Sequence, residues 1–568
     1  MDPVLYQVIQ SRLSGIVQEM QDNVFRTGYS TILRESHDGS CMILDAAGNV
    51  VGEHVIAPVH IACMSFFIRA VLERFAGDIH PGDAFLTNHP YEGGIMHSMD
   101  VGVVTPMFSG GRLVAFCGSI AHKSDMGGVN PGTHNASARE LFQEGVQFPP
   151  VRLVSRGAYV RDIETIVRAN TRTPELVLGD IHGQVGVSRL GERRLAETTA
   201  RHGLAIVLEM FEQKLVSTEA RVRKALASWP DGAFEGEAFV DSDGVQLDRR
   251  IRYHVRIEKT GDRILFDFTG CDDQAQGPIN ILPHLARGCC YYALISVVDT
   301  GLPNDGGLAR VVEAKFRRGS IVDPVFPAPV STYMATTTAI VEAVLHALSG
   351  FVPDYRHAGN SGTGGITISG LGAAGERFVQ YESVASAYGG SARGDGLSGV
   401  SVLLSNNSAA PIEILESEFP TRVERFELIR DSGGPGSGRG GLTPRRMYRI
   451  LAPSAQLTLR GGRHVWPSAG RFGGNPGRLG HCLVTAPDGT VRELPSRFSG
   501  ERLAPGDIVT IERAGAGGFG DPRERPFEKI VDDVIDGYVS RDAAIAAYGA
   551  DPLRLDAALA ELDPAAAR

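Results

Sequence analysis

The stretch that decides how this chain is read is GDAFLTNHPYEGGIMHSMDVGVVTPMFSGGRLVAFCGSIAHKSDMGGVNPG (residues 82–132), with RELFQEGVQFPP (139–150) just beyond it. Val101–Thr105 and Leu113–Ile120 read as two strands joined by a turn at Ser109–Gly111. A hairpin of that length returns the chain to its start, so the loop carrying His97 and Asp100 meets the loop carrying His122 and Asp125. Two imidazoles and one carboxylate (His97, Asp100, His122) form a three-ligand set that leaves room for water, the usual form of a catalytic Zn²⁺, Mn²⁺ or Fe²⁺ site. On spacing alone the alternative is a network of polar loop residues bonding one another. Asp38, in ESHDGSC, precedes a strand and is placed to join the same pocket, or to act as a turn or capping aspartate. Glu140 and Glu144 fall on a short helix beyond the hairpin, where Glu144 is a candidate general base and a solvated helix face is the competing reading. His54, His60 and His89 are left as structural histidines.

Outward from the hairpin the pattern is mixed. Asp2 and Pro3 open a helix whose Leu5, Ile9, Leu13, Ile16, Met20 and Val24 recur at helical spacing; Glu19 and Asp22 interrupt it, so it reads as a packing helix and not a signal peptide. Residues 30–51 read as an irregular, alternating segment with a turn at Asp45–Gly48, and 55–78 as a buried helix. Long helices are expected over 162–228, antiparallel strands over 233–269, and helices over 285–299 and 336–349. The 69 glycines cluster after residue 359, in GNSGTGG, AYGGSARGDGLSG, DSGGPGSGRGG and GAGGFGD. Such runs need positive φ or close backbone approach, and the flanking strands favour tight turns. The expectation is an α+β chain of several subdomains. A metal-bearing part spans 1–232, a central α/β part 233–357, a glycine-rich β part 358–525 and a helical tail 526–568.

Composition removes several function classes. A net charge of −10 argues against nucleic acid as the main partner. No run approaches the roughly 20 apolar residues of a membrane span. The seven cysteines are odd in number and form no CxxC pair, which argues against a disulfide framework or thiolate zinc and for a reducing, cytoplasmic setting. GxGxxG occurs at Gly436–Gly441 and Gly515–Gly520, but neither run has the strand–loop–helix context of a dinucleotide site. There is no Gly-Lys pair, hence no Walker A loop, and no G-x-S-x-G or HExxH.

TNHPYEGGIMHSMD, AHKSDMGG, LFQEGVQFPP, NTRTPELVLGD, DFTG, PVFPAPV, NNSAAPIEILESEFP and the glycine runs near 431–442 and 514–526 occur in order along nearly the whole chain. Together they resemble the hydantoinase B family, which includes subunits of ATP-dependent hydantoinases, oxoprolinases, caprolactamase, and acetone and acetophenone carboxylases. The resemblance implies a hetero-oligomer with a hydantoinase A-type ATPase that binds ATP and Mg²⁺ and phosphorylates a carbonyl oxygen. It implies metal ligands at His97, Asp100 and His122, with Asp38 as a further acidic ligand, and Asp125 orienting a ligand histidine. A bound ion lowers the pKa of water from about 16 towards 7, which suits attack on the activated carbon of a cyclic amide. A ketone carboxylase subunit and a non-catalytic scaffold are the alternative readings. Four positions depart from the family pattern: His89 where Asp is usual, Lys123 where an aromatic or His is usual, and Arg513 and Ala516 where relatives tend to have Pro and Gly.

Overall fold

The computed structural model describes residues 2–54, 59–132 and 134–562. Its first sheet has seven antiparallel strands: β1 Gly39–Asp45, β2 Val50–His54, β3 Ala84–Thr87, β4 Asp100–Ser109, β5 Arg112–His122, β6 Val151–Ser155 and β7 Ala158–Tyr159. Their order is β2-β1-β5-β4-β3-β6-β7. The segment 30–51, expected to be irregular, supplies β1 and the start of β2. Six of the seven β1 residues (Cys41, Met42, Ile43 and Leu44 among them) are buried, on both faces, so that no polar/apolar alternation marks the strand.

The pleat sorts the two faces. Cys41, Ile43, Ala115 and Cys117 meet the helices Pro3–Arg26, Pro174–His202 and Leu204–Ser228. Met42, Leu44, Phe116 and Ile120 point the other way, into a core shared with the helices His60–Arg74, Pro283–Val298 and Met334–Leu348. The expected first helix, the long 162–228 helices and the two central helices are all present. Asp2 caps the first, its carboxylate accepting from the Val4 amide at 2.9 Å.

β4 and β5 are joined by Gly110 and Gly111, at φ +57° and +77°. That pair of left-handed residues is what a two-residue hairpin turn matched to strand twist demands. One irregularity interrupts the ladder. Phe108 faces Leu113 while Met107 faces Ala115, so Val114 is an extra residue in β5.

The second half contains a four-stranded sheet (Gly232–Val240, Ile251–Thr260, Arg263–Asp267, Val312–Lys315), against which Met334–Leu348 packs. Two further antiparallel sheets, of four and five strands between 364 and 512, share one core that includes Ile366, Leu457, Tyr448 and Val509. Three short helices, Phe527–Ile535, Arg541–Tyr548 and Pro552–Leu562, follow. Among the described residues no helix is long and apolar enough to cross a membrane. All seven cysteines are buried as free thiols.

Three of the glycine runs do turn, with positive φ at Gly362, Gly394, Gly399 and Gly520, but the 433–441 run departs from that expectation. None of the six glycines between 433 and 441 has positive φ. What they permit is backbone against backbone. A Cβ on Gly440 would sit 2.1 Å from the Ala516 carbonyl oxygen, and one on Gly517 would sit 2.0 Å from that of Ala469. The runs at 389–396, 433–441, 469–477 and 515–520 interlock through hydrogen bonds such as Gly390 N to Gly517 O and Gly518 N to Asn475 O, both 2.9 Å.

Candidate metal centre

The pairing register puts Asp100 directly opposite His122, at the open end of the β4–β5 hairpin. His97 lies in the turn just before β4, closed by a hydrogen bond from the Asp100 amide to the His97 carbonyl at 3.1 Å. The Asp100 carboxylate therefore stands between two rings. Its Oδ2 is 3.0 Å from His97 Nε2 and its Oδ1 is 3.2 Å from His122 Nδ1. All three side chains are at most 4% exposed.

The remaining ring atoms test whether an ion suits this set. His97 Nδ1 donates to the Ser331 carbonyl at 3.0 Å, which fixes the tautomer and leaves Nε2 with its lone pair. Nε2 of His97 and Nε2 of His122 are buried without a hydrogen-bond partner, a costly state for a polar atom. Ligand atoms at about 2.1 Å from one tetrahedral ion lie roughly 3.4 Å apart. The His97 Nε2–Asp100 Oδ2 separation of 3.0 Å is close to that, and one candidate ligand atom from each of the three residues lies within 4.8 Å of the others. Hard carboxylate plus imidazole fits Zn²⁺, Mn²⁺ or Fe²⁺. Burial works against ionisation of Asp100, but the facing imidazoles, His97 when protonated and then the hydrogen bond of His122, outweigh it and hold the carboxyl well below the usual range.

His97 and His122 open on a cavity of about 30 Å³, room for an ion and a water-sized ligand. Its walls add Asp38, His134, Tyr333, Tyr381 and Arg460. Asp38 thus lies in the pocket wall, half-buried, though it is not one of the three clustered ligand groups. The phenols of Tyr333 and Tyr381 are raised, first by burial, and so face the pocket as protonated donors.

The other expected residues fall elsewhere. Asp125 is fully buried, but its carboxylate accepts from the Gly132 amide (3.1 Å), the Arg172 amide (2.7 Å) and the Arg172 guanidinium (2.9 Å). It braces a loop; the histidines take their orientation from Ser331 and Asp100 instead. Glu144 does not line the pocket. Its Oε1 accepts from the amides of Val330 and Ser331 at 2.6 and 2.7 Å, so it positions the carbonyl that orients His97. Burial pushes its carboxyl up to about 8. Glu140 caps the 3₁₀ turn Leu141–Glu144. Lys123 points away, donating to Gln184 at 2.7 Å and to the Ala121 carbonyl, and His89 packs near Tyr91 and Phe326. His89 and Lys123 therefore both sit outside the pocket wall.

With this geometry in hand, a family model described as hydantoinase B/oxoprolinase matches residues 2–522. The chain belongs to the hydantoinase B/oxoprolinase family. Among the relatives, the caprolactamase subunit beta of Pseudomonas jessenii is 27% identical, over 96% of this chain and 96% of that one. The crystal structure of the ATP-dependent caprolactamase from Pseudomonas jessenii superposes with a TM-score of 0.90 at 25% identity, covering 100% of this chain and 99% of that one. Acetone carboxylase in its nucleotide-free state shares the fold, with a TM-score of 0.88 at 19% identity over 99% of this chain and 83% of that one. Within this hydantoinase B chain, the pocket residues that sequence reading passed over are His134, Ser331, Tyr333, Tyr381 and Arg460. They come from segments up to more than 300 positions away from His97, and no local spacing marks them.

Proposed function

We propose that this chain is the metal-bearing catalytic subunit of an ATP-dependent cyclic-amide hydrolase, acting on a carbonyl already phosphorylated by a hydantoinase A-type ATPase partner. The observation that carries the reading is the buried Asp100 carboxylate set between two histidines whose Nε2 atoms have no hydrogen-bond partner. The family membership and the likeness to a caprolactamase support the substrate class. His97, Asp100 and His122 would hold the ion, with Asp38 as a further acidic ligand. A divalent ion there supplies Lewis acidity and acidifies water near neutral pH.

The protein's own groups do the rest. Ring opening of a cyclic amide is slow because resonance deactivates the carbonyl, and phosphorylation of its oxygen removes that protection. The Ser331 carbonyl holds His97 in one tautomer, and Glu144 holds the Ser331 backbone. Tyr333 and Tyr381, kept protonated, present O–H donors to a developing oxyanion. Burial of the site excludes bulk water that would hydrolyse an activated substrate unproductively.

The test is to reconstitute the chain with its ATPase partner and supply hydantoin, 5-oxoproline, caprolactam, or a ketone with bicarbonate, while following ATP loss. Turnover with a cyclic amide is expected. Turnover confined to ketone with bicarbonate would replace hydrolysis by carboxylation. A fully active His97→Ala complex without stoichiometric metal would leave the chain a scaffold.

A further inference from the structure

Three arginines in the second half are buried without a carboxylate beside them. Arg460, Arg497 and Arg513 are each 2% exposed, and among the described residues none has a carboxylate oxygen within 4 Å. Other hidden arginines differ. Arg446 faces Glu382 at 2.9 Å, Arg439 faces Asp533 at 3.2 Å, and Arg525 faces Asp395 and Asp533. A buried cation with no counter-charge is expensive, so such a group signals an anion that arrives from outside.

The three side chains meet around the GNSGTGG run. Arg460 donates to Thr363 Oγ1 at 3.0 Å and to His134 Nε2 at 3.1 Å. Arg513 donates to the Gly362 carbonyl at 3.2 Å, and Arg497 to the Gly461 and Ser242 carbonyls. A Cβ on Gly364 would lie 2.5 Å from the Arg513 guanidinium carbon, and one on Gly365 3.1 Å from Arg460 Nη2. These glycines thus make space for guanidinium groups. Burial, then the charges of Arg460 and Arg497, push Arg513 down to about 9, as expected of cations packed together.

A cavity of about 30 Å³ opens on this group, lined among others by Asp241, Glu342, Asn360, Thr363, Arg463 and Arg497. Two buried donors here have no partner, Asn360 Nδ2 and Arg497 Nε. The acids nearby are occupied. Asp241 accepts from the amides of His464, Val465 and Trp466; Asp243 accepts from those of Val245, Gln246 and Gly277. Glu342 pairs with Arg463 at 3.4 Å and accepts from the Asn360 amide. This cavity adjoins the metal pocket. Tyr333, Met334 and Leu404 line the one; Ala335, Thr338 and Leu403 line the other; and the Arg460–Thr363 hydrogen bond spans the wall between them.

We propose that Arg497 and Asn360, backed by Arg460 and Arg513, form an oxyanion site that holds a phosphoryl or phosphate group on the far side of the Arg460–Thr363 hydrogen bond from His97, Asp100 and His122. This rests on the proposed hydrolase reading for the identity of the ligand. The site itself rests only on the unpaired arginines and the unpartnered donors. Planar guanidinium and amide donors suit two oxygens of a phosphoryl group, and the cavity holds about two water-sized groups.

The experiment titrates the purified full-length chain with inorganic phosphate, by calorimetry and by thermal shift, against chloride at equal ionic strength. Arg497→Met, Asn360→Ala and His97→Ala are titrated alongside, with folding of each checked by circular dichroism. Saturable phosphate binding is expected, weakened at least about tenfold by Asn360→Ala or Arg497→Met and retained in His97→Ala. Acetyl phosphate that competes at the same site assigns it to the activated substrate, and failure to compete assigns it to released phosphate; both support an oxyanion site. Absence of saturable binding, or binding lost in His97→Ala and unchanged in Asn360→Ala, overturns the proposal, the latter by placing phosphate on the ion. Because His97→Ala abolishes the metal reading's activity but not this binding, the two ideas fail separately.

Discussion

In the β4–β5 hairpin the side chains carry the information; in the interlocking runs at 389–396, 433–441, 469–477 and 515–520 their absence does. The hairpin places Asp100 opposite His122 through strand register, and each position along it has a packing face and a chemical identity. The glycine runs pack peptide against peptide at distances that any Cβ would violate. A hairpin of this kind tolerates changes of size as long as faces are kept, whereas the glycine layer tolerates almost none. Fold and chemistry are thus secured by opposite means in the two halves.

The contrast is broken most severely at Gly517. Gly517→Ala sets a methyl 2.0 Å from the Ala469 carbonyl oxygen, so a loss above about 4 kcal/mol is expected, read as loss of soluble folded chain or a collapsed urea midpoint. A near-neutral result would mean that the layer is softer than its contacts indicate. His97→Ala, by contrast, should leave the chain folded while its metal content falls from one ion per chain to near zero. The drop in affinity should exceed the roughly 10–100-fold typical of residues that only support a ligand.

Glu144→Gln sharpens the comparison further, because it touches the site only through the Ser331 backbone. The Glu144 carboxyl sits at about 8 in the folded chain, above its unfolded value, so the folded state holds the proton more tightly. Its stabilising contribution is complete below the unfolded value near 4.5 and is lost as pH rises through about 8. The wild-type melting temperature should therefore fall across that window and the Gln variant should fall less. Parallel curves would show that Glu144 does not titrate there. The smallest effect is expected from Lys123→Met, since Nζ turns away to Gln184. Metal stoichiometry stays at one, and stability drops by about 1–3 kcal/mol for the acceptors left unsatisfied.

The hairpin and the clustering of His97, Asp100 and His122 were legible because Gly110–Gly111, the flanking β-branched residues and the positions of those three residues are all local signals. The long helices were legible for the same reason. β1 and β2 were not, since residues buried on both faces show no period. Arg460, Tyr381 and Ser331 reach the pocket only through tertiary packing, so nothing within a window of sequence couples them to His97. Asp125 and Glu144 were expected to serve the site directly, but which partner each carboxylate chooses is decided by Arg172 and by the 330–331 backbone, and those are far along the chain.

Val114, the extra residue in β5, sets the phase of the whole ladder beyond it. From Met107 to Asp100 every cross-strand partner is fixed by that single offset. Were the bulge smoothed out without removing a residue, Ala121 would stand opposite Asp100, and the His122 imidazole would turn to the other face of the sheet. The two halves of the ligand set are thus kept in step by a mismatch roughly 25 Å away along the strand, and natural length variation in this hairpin is constrained by parity as well as by size.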